Sequence, residues 1–259
     1  MRAAKGAPID TDRVFRLNDT QTLSYLDFDD LTAEDLKAIG SIRGLYLANR
    51  SAFTELTVSN TPDKKKAHKR NNGSIDWKGS SLSWDSANGN VTVAIKGRAG
   101  TYRKETLTSP HVFDLVLNAG WFEAEVARIL SSWRHSHEVR LNVTFPYTEG
   151  NPKNEIDVIV NTSDRLLFVE CKTSIHTLTD LDKFSKAVRN YGGTGCHALF
   201  VSFTSMSKDA AEKCRDNGII PFSFKDTLNA SRDKSKQQEV IAKALHRLLD
   251  EKLITINKK

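Results

Sequence analysis

The rhythm of apolar and polar positions changes near residue 110. Before that point short apolar pieces alternate with polar, turn-rich segments. "DFDDLTAEDLKAIGSIRGLYLAN" contains a helix start, with Thr32 as N-cap and Asp35 three residues later in a weak form of the capping box. In "SSLSWDSANGNVTVAIKG", Leu82 and Trp84, then Val91, Val93 and Ile95, alternate around an "NGN" turn and predict a hairpin. Residues 1–110 therefore read as a small α+β region, a linker or a substrate-binding module.

After residue 110 the periodicities are sharper. Phe122, Val126, Ile129, Leu130 and Trp133 of "GWFEAEVARILSSW" recur at helical spacing. Strands follow at 138–145, 154–160 and 165–172. A second amphipathic helix is marked by Leu178, Leu181, Phe184, Val188 and Tyr191. Then come a strand at 197–203, a helix ending at Gly218, the strand "IIPFSF" and a C-terminal helix around Val240 to Leu249. The expected fold class of residues 111–259 is α/β, with αβββαβ order in its core and a mixed sheet.

Charge complicates this picture at one place. "NEIDVIVNTSDRLLFVECKT" sets Glu155, Asp157, Glu170 and Lys172 among strongly apolar, strand-forming residues. Because successive strand residues point to opposite faces, Asp157 shares a side with Glu155 and Ile159, while Ile156, Val158 and Val160 face the other way. Glu170 and Lys172 share a face with Phe168, and a hairpin through "NTSD" would superimpose the charged faces. Buried carboxylates repel one another and are costly to desolvate unless compensated. Mg²⁺ or Mn²⁺ is the natural compensation. Asp157 and Glu170 would each supply an oxygen, and the remaining positions would fall to waters, a backbone carbonyl (that of Cys171) and a substrate phosphate. Lys172 would orient water or stabilise charge on the phosphate, a set suited to metal-assisted phosphodiester hydrolysis. The bland alternative makes Asp157 a surface strand-end residue and Glu170 with Lys172 an ordinary ion pair.

Composition narrows the classes without choosing among them. The chain has 259 residues, 39% hydrophobic and 27% charged, with a net charge of +6. No run approaches the roughly 18 apolar residues of a membrane helix, and "MRAAKGAPID" lacks a signal peptide's apolar stretch, so a cytoplasmic address and no membrane partner are expected. Cys171, Cys196 and Cys214 lack metal or redox spacing and read as reduced core residues. The densest positive run, "DKKKAHKRNNGS", offers Lys64, Lys65, Lys66, Lys69 and Arg70 to a phosphate backbone, or forms a solvated loop. Lys183 and Lys186 on the second helix are further candidate backbone contacts.

Asp157, thirteen residues on Glu170, one intervening residue and then Lys172 resemble the D-x(n)-E-x-K motif of the PD-(D/E)xK, restriction-endonuclease-like nucleases. "AGWFEAEV", "NEIDVIV", "ECKT" and "NYGGTGCHALFVS", in that order, resemble the nuclease domain of CRISPR-associated ancillary nucleases whose nuclease follows a cyclic-oligoadenylate-sensing CARF domain. The resemblance covers roughly residues 113 to 203. It implies metal-dependent cleavage of DNA, with RNA left open as a second substrate, in antiviral defence, and Glu123 as a helical acid with Asp157, Glu170 and Lys172. Helical periodicity alone places Glu123 and Glu125 on opposite edges of the apolar stripe and leaves the two open.

Residues 1–110 show neither the length nor the repeated βαβ pattern of the sensor domain in those relatives. Either the chain is a fragment or a separate sensor or activator supplies regulation, and a homodimer is one candidate arrangement because two sites cut two strands most simply. Rival readings are a Holliday-junction-resolvase-like or restriction-type endonuclease, and a non-catalytic nucleic-acid-binding module. His135 and His137 read as loop residues, and Gly192, Gly193 and Gly195 as a helix cap and turn.

Overall fold

The structure, a computed structural model, describes residues 23–57, 72–97, 100–118, 120–146, 155–162, 164–175, 178–192, 196–231 and 236–254. Contacts divide the chain into two compact units. One is Asp29–Glu125; the other is Val126–Lys259 with the residues up to Phe28. The division falls between Glu125 and Val126, inside a helix, whereas the sequence pattern breaks near residue 110.

In the unit Asp29–Glu125, helices α1 (Ala33–Ala48) and α2 (Arg50–Thr57) are followed by a four-stranded antiparallel sheet. Its strands, in spatial and chain order, are β2 (Asn72–Trp77), β3 (Ser80–Asp85), β4 (Asn90–Lys96) and β5 (Tyr102–Thr108). The expected hairpin is β3–β4, closing at Asp85↔Asn90. The flanking strands went unpredicted: β2 begins at Asn72, inside the stretch expected to be a loop, and "YRKETLT" of β5 buries little beyond Leu107. Leu82, Val91, Val93 and Ile95 turn inward from the sheet, and Ile42, Leu45, Tyr46, Phe53 and Leu56 from the helices, all at most 3% exposed. Helix α3 (Val112–Leu117) and the first turns of α4 (Gly120–Ser131) follow, and the Trp121 ring packs 5.2 Å from Tyr46.

The start of α1 is held by more than the expected cap. Asp35 N–H donates to Thr32 Oγ1 at 3.2 Å and Thr32 N–H to Asp35 Oδ2 at 2.9 Å, completing the capping box. Asp35 is fully buried and also accepts from the His111 backbone N–H (3.1 Å) and lies 3.0 Å from its Nδ1. Burial alone would raise the carboxyl's pKa. The His111 ring, the Thr32 N–H, the Ser109 hydroxyl and the His111 N–H outweigh it and hold Asp35 well below the usual carboxylate range. A carboxyl depressed by folding stabilises the fold above its unfolded pKa, and that contribution is lost as pH falls through the folded value. Urea unfolding followed from neutral pH into acid should show stability falling below about pH 5, with a shallower fall in Asp35→Asn.

The second unit is built on a six-stranded mixed sheet of order β1-β6-β7-β8-β9-β10. The strands are β1 (Ser24–Asp27), β6 (Glu138–Thr144), β7 (Glu155–Asn161), β8 (Leu166–Lys172), β9 (Cys196–Ser202) and β10 (Ile219–Ser223). Neighbours from β1 to β8 run antiparallel; β8, β9 and β10 run parallel. The strands at the middle of the sheet are buried almost throughout, which is why β7 and β8 read as apolar runs rather than clean alternations. The rest of α4, then α5 (Thr179–Ala187), α6 (Lys208–Asp216), α7 (Phe224–Ala230) and α8 (Gln237–Leu249) complete the unit.

Helix α5 buries Leu181 and Phe184 in one apolar cluster with Ile159, Phe168, Ala198 and Phe200. Leu178, expected on the same stripe, is 39% exposed. The chain leaves α5 through one π turn, Val188–Gly192, which stacks Tyr191 on Phe145 with ring centroids 4.0 Å apart. A Cβ at Gly192 would stand 2.0 Å from Cys196 Sγ, so only glycine allows this close return into β9. Gly218, at φ 69°, ends α6 as its position after the helix predicts.

Candidate active site at the fork between two strands

Strands β7 and β8 pair through Asn161↔Leu166, Val160↔Leu167, Ile159↔Phe168 and Val158↔Val169. Regular pairing stops there, and the next residues along the two strands are Asp157 and Glu170. On its other edge β8 stays joined to β9 as far as Lys172↔Ser202, and Phe203 N–H donates to Lys172 O at 2.9 Å. Since successive residues of a strand address opposite edges, the Cys171 backbone addresses the β7 edge. Its N–H donates to Asp157 Oδ2 at 2.8 Å, so a side-chain oxygen takes over where the ladder ends.

The Lys172 ammonium lies 2.8 Å from Glu170 Oε1 and 4.0 Å from Asp157 Oδ2. Glu170 is 2% exposed and Asp157 7%, whereas Lys172 is half-buried. Asp157, Glu170 and Lys172 thus converge on one spot. It lies at the end of an apolar face formed by Ile159, Phe168 and Phe200, with Ser202 beside Lys172 on the next strand. Low dielectric strengthens the Lys172–Glu170 pair and the hydrogen bond onto Asp157. Two carboxylates thus stand against one ammonium, and burying ionised groups is costly unless each is paired or hydrogen-bonded.

One part of the strand reading needs correction. Strict alternation separates Ile156 from Ile159, yet both belong to the cluster that contains Phe168 and Val143. The alternation breaks at Asp157, and the residue across from it on β6, Asn142, has φ 52°. No sequence pattern marked Asn142. An Asn inside an alternating strand is a weak signal for left-handed backbone.

The other candidates fall in different places. Glu155 is exposed at the start of β7. Glu123 is half-buried on α4. Glu125, expected at the edge of the apolar stripe, is instead fully buried, with Oε1 3.3 Å from the Arg43 guanidinium of α1. Helix α4 is covered around most of its circumference, Trp121, Phe122, Ala124, Val126, Ala127, Ile129 and Leu130 all being buried, so its stripe is wider than the periodicity suggested. Lys183 and Lys186 are exposed on α5. Lys64, Lys65, Lys66, Lys69 and Arg70 lie outside the described residues, as do Gly193 and Gly195. His135 Nε2 accepts from Arg134 at 3.0 Å and lies 3.7 Å from Asp250.

Among the described residues no group of three or more His, Cys, Asp and Glu side chains gathers as a metal cage. The donors here suit a different kind of site. Two carboxylates and the carbonyl of Cys171 on the same edge are hard oxygen donors, and Mg²⁺ is commonly held by one or two carboxylates with waters and substrate oxygens filling its shell. All three cysteines are free, and burial pushes the Cys196 and Cys214 thiols up to about 11, away from the thiolate form a soft metal would need. Among the described residues no helix is long and apolar enough to cross a membrane.

Residues 114–234 match a family model described as "Card1-like, endonuclease domain". The solved structures that are similar include protein VC1899 from Vibrio cholerae, at 15% identity and a TM-score of 0.46. They also include Can2 from Sulfobacillus thermosulfidooxidans in complex with cyclic tetra-adenylate, at 18% and 0.45. A repair endonuclease from Pyrococcus abyssi is similar at 12% and 0.27. The alignments cover 94%, 88% and 57% of this chain. The chain spans 57% of the length of VC1899 and of Can2, and 65% of the repair endonuclease. No curated protein matches the chain in sequence.

Proposed function

We propose that the chain, whose residues 114–234 match a model described as "Card1-like, endonuclease domain", is a metal-dependent nuclease hydrolysing phosphodiester bonds of DNA, with RNA as the alternative substrate. The observation that carries this reading is the convergence of two buried carboxylates and one amine at the open end of the β7–β8 pairing. A purely structural ion pair needs one acid, and a second carboxylate at the same amine suits a divalent cation bound together with a phosphate.

In this reading Asp157, Glu170 and the Cys171 carbonyl would hold Mg²⁺ or Mn²⁺, which would supply Lewis-acid polarisation of the scissile phosphate. The Cys171 N–H fixes one oxygen of Asp157, so that carboxylate is oriented before any ligand arrives. Lys172 presents up to three N–H donors on a mobile stem, suited to holding the attacking water or a phosphoryl oxygen. Hydrolysis forms a bond from that water's oxygen to phosphorus and breaks the bond to a sugar oxygen, which leaves with a proton. Lys172 stabilises the charge that builds on the phosphoryl oxygens as this happens. Glu123 is assigned as the helical acid on the family resemblance. Lys183, Lys186 and the basic run Lys64–Arg70 are assigned to the nucleic-acid backbone. Control by a separate sensor or activator, action as a homodimer and a place in CRISPR-type antiviral defence complete the proposal.

Duplex DNA, single-stranded DNA and RNA assayed side by side with Mg²⁺ or Mn²⁺ test it. At least one substrate should be cleaved, and chelation with EDTA should stop cleavage. Turnover undiminished by EDTA would contradict metal dependence.

A further inference from the structure

Asn142 stands in the middle of β6, yet its backbone is left-handed, at φ 52°. The registers on either side, Leu141↔Val158 and Val143↔Ile156, place it directly across from Asp157, and that pair is the one the ladder omits. A residue at positive φ inside a strand redirects the chain, so the side chains beyond it exchange faces. The exchange is visible here: Val143 and Ile156 enter the cluster that holds Ile159 and Phe168. Asp157 sits at the exchange. Its carboxylate reaches sideways to the N–H of Cys171, where a regular strand residue would point perpendicular to the sheet.

We propose that Asn142 is a positioning residue for the site: its left-handed backbone breaks the β6–β7 alternation and thereby turns the Asp157 carboxylate along the sheet onto the Cys171 N–H, within reach of Lys172. Asn and Asp tolerate this conformation better than other non-glycine residues, and a β-branched residue tolerates it least. The role belongs to the backbone, so glycine substitutes for Asn142 and valine does not. Asn142 touches neither substrate nor ion in this account; it acts through Asp157. The inference rests on the nuclease reading only for its consequence in turnover. Its structural half stands without that reading.

The test uses the full chain with Asn142→Gly, Asn142→Ala and Asn142→Val, read in two ways. The first is hydrogen exchange of the Cys171 amide. Its protection should match wild type in Asn142→Gly and fall about ten-fold or more in Asn142→Val, with Asn142→Ala between them, as expected when one hydrogen bond is loosened locally. The second is steady-state cleavage. The kcat of Asn142→Val should fall by about ten- to a hundred-fold with KM for nucleic acid little changed, the size expected for an ångström-scale misplacement, and Asn142→Gly should stay within about two-fold of wild type. If Asn142→Val does not fold, Asn142→Ala carries both readouts. Full Cys171 protection in the valine and alanine variants would overturn the proposal, and so would an Asn142→Gly variant impaired as much as they are. A wild-type chain that cleaves nothing would sink the nuclease reading while the amide exchange still decides the role of Asn142.

Discussion

Lys172→Ala and Asp157→Ala are each expected to lower the rate of nucleic-acid cleavage by about 10²- to 10³-fold or more, the size seen when one oriented group at a reacting centre is removed. Initial rates with Mg²⁺ or Mn²⁺, measured beside near-ultraviolet circular dichroism to establish that the fold persists, check this. The two variants should also differ from each other. Lys172→Ala takes away a positive charge 2.8 Å from Glu170 and 4.0 Å from Asp157, residues that are 2% and 7% exposed. Added Mg²⁺ should therefore raise the melting temperature of Lys172→Ala more than that of wild type, because a cation then relieves the repulsion. Asp157→Ala removes one carboxylate and should show little gain from Mg²⁺. Wild-type cleavage rates in either variant would remove these residues from the mechanism.

The largest effect on stability is expected away from that site. Glu125 is fully buried and Arg43 is 9% exposed, with 3.3 Å between guanidinium and carboxylate. Both ions left water to form this pair. Breaking a buried ion pair by removing one partner costs about 3–5 kcal/mol, whereas replacing both with apolar groups of similar volume is often neutral. Arg43→Met should accordingly destabilise the unit Asp29–Glu125 by about that amount in urea unfolding, and Arg43→Met with Glu125→Leu should recover most of the loss. An unchanged single variant would mean that water or another group compensates Glu125 fully.

This pair also shows where the sequence stops being informative. Arg43 and Glu125 meet across the fold, and helical periodicity, which depends only on neighbours along the chain, placed Glu125 at the edge of a stripe. The pair is a tertiary contact between residues 82 positions apart, which local periodicity does not encode. The strands and helices after residue 110 were legible for the opposite reason. "RLLFVECK", "HALFVSF" and the helix of Leu181 and Phe184 each bury enough of their own apolar surface for the local pattern to decide. β1 and β5 bury few side chains, and β2 begins with Asn and Gly, so hydrogen bonding to neighbouring strands defines them and leaves little trace in residue type.

At the site, charge in an otherwise apolar strand pair was the legible signal, because ionised groups are expensive there and need a reason. It singled out Asp157, Glu170 and Lys172, which the structure brings together. The support beneath them was not legible. The Cys171 N–H that orients Asp157 is backbone, and the left-handed turn at Asn142 depends on a dihedral angle that Asn permits without announcing. Lys183 and Lys186 are exposed, and nucleic-acid binding measured with charge-reversed variants tests their assignment to the backbone.

Anomalous diffraction from crystals grown with Mn²⁺ tests the central claim most directly. The account predicts one Mn²⁺ peak at the end of the β7–β8 pairing, about 2–2.5 Å from an oxygen of Asp157 and an oxygen of Glu170, and lost in Asp157→Asn. A Mn²⁺ concentration that supports cleavage but gives no peak between those two carboxylates, or places the ion elsewhere in the chain, would contradict it.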